Sequence, residues 1–203
     1  MYNRAASFVY YAIYKPYGML SQFKKEPNAD YKTLADLDFV FSKDVYPLGR
    51  LDADSEGLLL LSNDGSINNK LLQPEFGHRR TYFVQLDGAI SDYAISQLKL
   101  GIHLSIDGKP FHTLPAEVYR MEDPGFPARN PPVRVRKSIP TSWISLSLNE
   151  GKNRQVRRMT AAVGFPTIRL VRWKIEQITL SGMLPGQVVE FTKSELFHLL
   201  GWQ

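Results

Sequence analysis

Three carboxylates crowd one arginine in the segment Gly49 to Gly65, GRLDADSEGLLLLSNDG: Asp52, Asp54 and Glu56 follow Arg50. Directly after them, Leu58 to Leu61 form a run of four leucines, which suits a strand covered on both faces. A carboxylate at the entrance to such a strand is mounted on a rigid element. It can serve as a nucleophile or, with a second acid across a bond, as half of a glycosidase pair. On one strand Asp52 and Asp54 would share a face roughly 7 Å apart. The plain alternative is that these acids cap a turn, and Asn63-Asp64-Gly65 has the composition of a tight turn with positive φ. A negative cluster beside a core strand is costly unless cations answer it, and Arg50 is the one local cation. The counter-charge must come from elsewhere in the chain.

Glu150 to Met159, EGKNRQVRRM, supplies it: Lys152, Arg154, Arg157 and Arg158 bring four cations into seven residues. The segment reads as a strand end leading into a helix. Arg157 falls in the first turns of that helix, and its guanidinium has the fork geometry suited to a carboxylate.

The string around Arg50-Leu51-Asp52, with its small hydroxyl residue and Gly-Leu-Leu, resembles the signature of pseudouridine synthases that modify ribosomal RNA. The resemblance extends over nearly the whole chain. Arg129 to Ser142 and Glu150 to Arg172 are similar to the small branch that isomerises one uridine in 23S RNA, and Lys15-Pro16-Tyr17-Gly18 matches a common family element. It implies an α+β catalytic fold: a bilobed, mixed, largely antiparallel sheet flanked by helices, with a central cleft. It implies the isomerisation of uridine to pseudouridine without a cofactor, Asp52 acting as an ionised carboxylate either at the sugar C1′ or in elimination toward a glycal. Arg157 matches the basic residue paired with that aspartate. Arg80-Thr81-Tyr82-Phe83-Val84 looks like the strand whose tyrosine stacks on the target base, although a tyrosine among β-formers is ordinarily half-buried packing. Asp54 and Glu56 are read as structural. Many relatives have histidine where Arg154 stands, so its assignment to RNA contact rests on charge alone.

Such chemistry needs the uridine lifted out of its stack, at a cost of a few kcal/mol. An aromatic platform returns about 1 to 3 kcal/mol per stacked base. Cations on the flanking backbone supply the rest. Two other readings use the same residues differently. A non-catalytic basic rRNA-binding or ribosome assembly factor would use the cations and leave Asp52 idle. A glycosidase-like hydrolase would pair Asp52 with Asp54 or Glu56, but a basic surface suits a neutral sugar poorly.

The elements that must carry these groups can be read coarsely. Phe8 to Tyr14 is a strand stopped by Lys15-Pro16-Tyr17-Gly18. Thr33 caps a short helix through Leu37, and Ser66 caps one through Leu72 that Pro74 ends. Thr81 to Leu86 is a strand, and Ser91 to Leu100 a helix stopped at Gly101. Ala116 to Arg120 and Ile144 to Leu148 are strands, the latter with one apolar face. Gln155 to Val163 is a helix closed by Gly164, followed by strands Ile168 to Trp173 and Val188 to Phe191 and a last helix capped by Ser194. Strands and helices interleave without a regular βαβ rhythm, which points to α+β with a largely antiparallel sheet. The loop Met121 to Ser142 holds five prolines together with Arg129, Arg134, Arg136 and Lys137. It reads as an exposed arm that clamps phosphates rather than as core.

The 203 residues, 43% apolar, suffice for one bilobed domain. We take residues 8–203 as the catalytic domain, after a leader of residues 1–7 and with no separate N-terminal RNA-binding domain. Net charge is +5, but Arg129 to Lys174 holds 11 Lys or Arg against the single acid Glu150, leaving −5 for the rest. That division suits one surface facing a polyanion. Arg50, Lys152, Arg154, Arg158, Arg129, Arg134, Arg136, Lys137, Arg169 and Arg172 are therefore the candidate RNA contacts, and large-subunit ribosomal RNA the expected partner. With no cysteine and four histidines lacking ligand spacing, no metal or thiolate chemistry is expected. The apolar stretch Phe8 to Tyr14 is too short to span a bilayer and lacks signal-peptide features, so a cytoplasmic protein without membrane contact is expected, with a monomer as the default.

Overall fold

The computed structural model describes residues 8–25, 30–72, 77–106 and 108–202, the side chains of Asn69 and Leu72 aside. The expected leader, residues 1–7, and Pro74 lie outside the described residues. In chain order the elements are β1 (Tyr10–Lys15), a 3-10 turn (Leu34–Asp36), β2 (Tyr46–Pro47), β3 (Glu56–Ser62), α1 (Gly65–Leu72), β4 (Arg80–Asp87), α2 (Asp92–Leu100), β5 (His103–Ile106), β6 (Lys109–His112), β7 (Glu117–Met121), β8 (Thr141–Leu148), α3 (Gln155–Ala162), β9 (Thr167–Ile175), β10 (Ile178–Thr179), β11 (Val188–Phe191) and α4 (Lys193–Leu199). They divide into two compact units, residues 1–76 with 176–203, and residues 77–175. The α+β class with antiparallel sheet pairing is as the sequence predicts.

In the first unit β1 lies between β11 and β3, antiparallel to both, and β2 pairs with the end of β3. The leucine run behaves as its composition requires. Every residue of β3 is buried, and so is every residue of β1 beside it. Burying each leucine contributes about 1.5–3 kcal/mol. On one face, Tyr11, Ile13, Leu59 and Leu61 pack with Met19, Leu34 and Val45.

Three local expectations in this unit need correction. Asn63-Asp64-Gly65 is not a positive-φ turn: Gly65 opens α1 and is absent from the glycines of positive φ. Asp64 rather than Ser66 caps α1, its Oδ1 accepting from the Ser66 N–H at 3.1 Å and from the Ser66 hydroxyl at 2.6 Å. Thr192 rather than Ser194 caps α4, in a reciprocal box with Glu195. In both helices the capping residue lies two positions before the expected one and reaches the open N–H groups.

In the second unit the sheet runs β9-β4-β8-β7, all antiparallel, with β5 and β6 forming a separate hairpin. Val84, Leu86, Ile144, Leu146 and Leu148 meet α2 through Ala94, Ile95 and Leu98, and α3 through Val156 and Met159. Ser91 caps α2 by accepting from the Ala94 N–H, and Gly101 ends it at φ 98°. A Cβ on Gly101 would stand 2.4 Å from the Thr113 carbonyl oxygen, so glycine is required there by space as well as by φ. The opposite sheet face is also covered. Phe83 stacks on Trp173 with centroids 5.0 Å apart, and Phe126 of the proline-rich loop lies 6.0 Å from both and 6.1 Å from Trp143. β8 is therefore buried at Trp143, and Ser147, which its alternation predicts on an open face, is buried too, its hydroxyl bonded to that of Thr81 at 2.8 Å.

Candidate active site

Asp52 sits in a turn just before β3. The Ser55 N–H donates to the Asp52 carbonyl at 3.0 Å, and the Gly18 N–H donates to the Ala53 carbonyl at 2.8 Å. The neighbouring Leu51 side chain is buried, at 8% exposure. The Asp52 side chain is exposed. The chain thus fixes the backbone on either side of the carboxylate and leaves the carboxylate presented. Arg50 is exposed two residues earlier. Glu56, the first residue of β3, is buried, and Asp54 is half-buried.

Lys15-Pro16-Tyr17-Gly18 forms the predicted turn, and it does so around a buried cation. The Lys15 side chain is fully buried, its ammonium donating to the carbonyls of Pro16 at 2.9 Å and Met19 at 2.7 Å. Gly18 takes φ 73°, a conformation that glycine adopts without strain. Charge-assisted bonds of this kind are stronger than neutral ones, and they shape the loop whose Gly18 N–H holds Ala53.

Tyr82 lies in the second unit on β4, half-buried against the core that α2 and α3 cover. Its direct neighbours in register are Leu146 on β8 and Arg172 on β9. Arg172 is buried and hydrogen-bonds the Tyr82 side chain; burial first, and then the nearby Arg80 charge, lower its pKa, while Tyr82 opposes the shift. Arg157 projects from the first turn of α3, half-buried, and its Nη1 donates to the Thr167 carbonyl at 3.4 Å.

The turn into α3 is braced by Gln155, a residue that the sequence reading passed over. Gln155 is buried; its Oε1 accepts from the Lys152 N–H at 3.0 Å, and its Nε2 donates to Glu150 Oε1. That carboxylate also accepts from the Leu114 N–H. A glutamine at the first position of a helix carries no distinctive sequence signal. The same turn holds Arg154 at φ 52°, in the left-handed region, where a residue other than glycine is strained by about 1 kcal/mol or more.

The candidate RNA contacts divide by burial. Arg50, Lys152, Arg154, Arg134, Arg136 and Lys137 are exposed, and Arg129 and Arg158 half-buried. Arg158 is engaged with the Ser105 carbonyl at 2.7 Å, tying α3 to the β5–β6 hairpin, and Arg136 forms an ion pair with Asp87. Arg169 and Arg172 are buried at 6% exposure. Arg169 donates to the Pro127 carbonyl at 2.9 Å and lies 5.5 Å from the Phe126 ring centre. These two arginines hold the protein's own loop and strand, so a phosphate-clamping surface draws on the exposed cations. The loop is an exposed arm, as its prolines predict, but it is anchored at Phe126 and Pro127.

Among the described residues no group of three or more His, Asp or Glu is placed to hold a metal ion, and no helix is long and apolar enough to cross a membrane. The first unit presents an exposed, backbone-fixed carboxylate, and the second presents a tyrosine on a sheet and a basic helix entrance.

The chain is similar to several known proteins. The family model described as RNA pseudouridylate synthase matches residues 9–162. A ribosomal large subunit pseudouridine synthase E of Vibrio parahaemolyticus is 50% identical over 173 residues, covering 85% of this chain and 69% of the relative. One of the same name from Xanthomonas axonopodis pv. citri is 49% identical, covering 84% of this chain and 87% of the relative. Among solved structures, a crystal structure of a pseudouridylate synthase superposes with a TM-score of 0.75 at 28% identity, covering 95% of this chain and 74% of that one.

Proposed function

We propose, from the premise that the chain belongs to the RNA pseudouridylate synthase family, that it isomerises a uridine of large-subunit 23S ribosomal RNA to pseudouridine. The observation that carries this reading is the presentation of Asp52: an exposed carboxylate whose flanking backbone is fixed by the Gly18 and Ser55 N–H groups. The substrate class is supported by the relatives near 50% identity, whose names specify the ribosomal large subunit.

In the reaction, the bond from uracil N1 to the sugar C1′ breaks, the uracil turns in place, and a bond forms from C5 to C1′. The proton on C5 is lost and N1 gains one, so the change is an isomerisation with no net redox step. Asp52 acts either as nucleophile at C1′ or by assisting elimination toward a glycal, and both routes use its ionised form. Arg157 is the cation that the reading assigns to keep that carboxylate charged. Tyr82 is assigned as the platform for the flipped base. Arg50, Lys152, Arg154, Arg134 and Lys137, all exposed, are assigned to the RNA backbone. The chain is taken to work as a monomer in the cytoplasm.

Digestion of the treated RNA to nucleosides, followed by chromatography, tests this directly. Pseudouridine formed in equal amount to uridine lost, without free uracil, is the expected result. Release of free uracil would replace isomerisation with hydrolysis, and RNA binding with neither product would favour a non-catalytic assembly factor.

A further inference from the structure

Leu51, the residue immediately before Asp52, is held by a side chain rather than by a strand. The Ser21 hydroxyl donates to the Leu51 carbonyl oxygen at 2.8 Å and accepts from the Leu51 N–H at 3.0 Å. Both main-chain groups of Leu51 are therefore satisfied by one oxygen, in the way that an antiparallel neighbour would satisfy them. Ser21 is itself buried, at 6% exposure, so this pair of bonds is shielded from water and cannot be exchanged for hydration without cost.

The segment that carries Ser21 is fixed at several points. Lys15 binds the Pro16 and Met19 carbonyls. The Leu20 N–H donates to the Lys32 carbonyl at 2.8 Å, and the Leu34 N–H donates to the Gln22 carbonyl at 2.9 Å. From this one segment Gly18 reaches Ala53 and Ser21 reaches Leu51, so the residues on both sides of the exposed Asp52 are gripped. We infer that Ser21 is a positioning residue for the Asp52 carboxylate, acting through Leu51, and that its hydroxyl sets the rate of the chemical step rather than the binding of RNA. This rests on the reading of Asp52 as the reacting group. A displacement of the reacting carboxylate by about 1 Å is enough to cost on the order of 100-fold in rate.

The test compares Ser21→Ala, Ser21→Cys and Ser21→Thr with wild type and Asp52→Asn on large-subunit rRNA, measuring single-turnover rate, RNA dissociation constant and thermal midpoint. Wild type and Asp52→Asn come first: if wild type forms no pseudouridine, or Asp52→Asn matches it, the reading of Asp52 fails, and with it the ground for this inference. With that control met, Ser21→Ala is expected to lose about 10- to 100-fold in single-turnover rate while the dissociation constant stays within about twofold. Ser21→Thr, which keeps the hydroxyl, is expected to recover most of the rate. Ser21→Cys, a weaker donor and acceptor, should fall between and serves in place of Ser21→Ala if the alanine variant does not fold. A folded Ser21→Ala or Ser21→Cys with wild-type rate would overturn the inference. So would a rate that falls only in step with RNA affinity and thermal midpoint.

Discussion

Arg172 hydrogen-bonds the Tyr82 hydroxyl across the β9–β4 register, where the two residues are direct partners. A buried cation thus holds the ring assigned to stack on the flipped uracil. The bond has two consequences that substitution separates. Tyr82→Phe keeps the ring and removes one acceptor from a buried guanidinium, where bonds to charged groups contribute about 1.5–3 kcal/mol. Its thermal midpoint should fall by several degrees with RNA affinity nearly unchanged. Tyr82→Ala also loses stacking and should weaken RNA binding by about 5- to 150-fold. Unchanged affinity in Tyr82→Ala would remove the platform role.

Asp64 predicts a pH dependence of stability in the first unit. Burial opposes its charge, but the Ser66 hydroxyl, the Tyr10 hydroxyl at 2.9 Å and the Ser66 N–H outweigh burial and lower its pKa. A carboxylate whose folded pKa is lowered stabilises above its unfolded value and loses that contribution as pH falls through the folded value. Asp64→Asn should therefore be less stable than wild type at neutral pH, with the gap closing below about pH 4. Tyr10, burial first and Asp64 second, is pushed up to about 12, so its share is full below pH 10 and lost as pH rises toward 12. Chemical denaturation across both ranges measures this, and a gap between wild type and Asp64→Asn that persists unchanged into acid would refute it.

RNA affinity should fall steeply with salt. With Arg136 ion-paired to Asp87, the five other exposed candidates, Arg50, Lys152, Arg154, Arg134 and Lys137, give a slope of log affinity against log salt of about −3 to −5 if each meets a phosphate. Arg134→Ala with Lys137→Ala should flatten the slope by about one to two. A wild-type slope near zero would contradict the surface assignment.

Arg154 places charge and backbone strain on one residue. Asparagine tolerates the left-handed conformation better than arginine. Arg154→Asn should keep or raise stability by up to about 1 kcal/mol while weakening RNA binding. A clear loss of stability in that variant would mean that the arginine side chain supports the turn, and its role would then be structural.

What the sequence discloses depends on how local the cause is. Leu58 to Leu61 announce a doubly covered strand because four adjacent leucines have no other economical placement, and the structure buries all four. Ser91 and Gly101 bound α2 as read, since capping and left-handed termination act within a few residues. The caps at Asp64 and Thr192 differ from the expected Ser66 and Ser194 because two polar residues two positions apart compete and only geometry shows which one reaches the open N–H. The β5–β6 hairpin does carry a short alternation, with Leu104 and Ile106 half-buried between exposed His103 and Ser105, but each strand is only four residues long, the least that period-2 patterning can mark. Gln155 and Ser21 act through pairs of buried bonds to neighbouring groups that residue type alone does not signal. Burial of Arg169 and Arg172 was hidden for the same reason, since a cation on a strand reads as exposed until its covering loop is known.

Whether Asp52 performs the isomerisation is read by carbodiimide-dependent primer extension on large-subunit rRNA incubated with wild type or Asp52→Asn. A new stop at one uridine is expected with wild type and none with Asp52→Asn, which should still bind the RNA. The same stop appearing at comparable strength with Asp52→Asn would contradict that role.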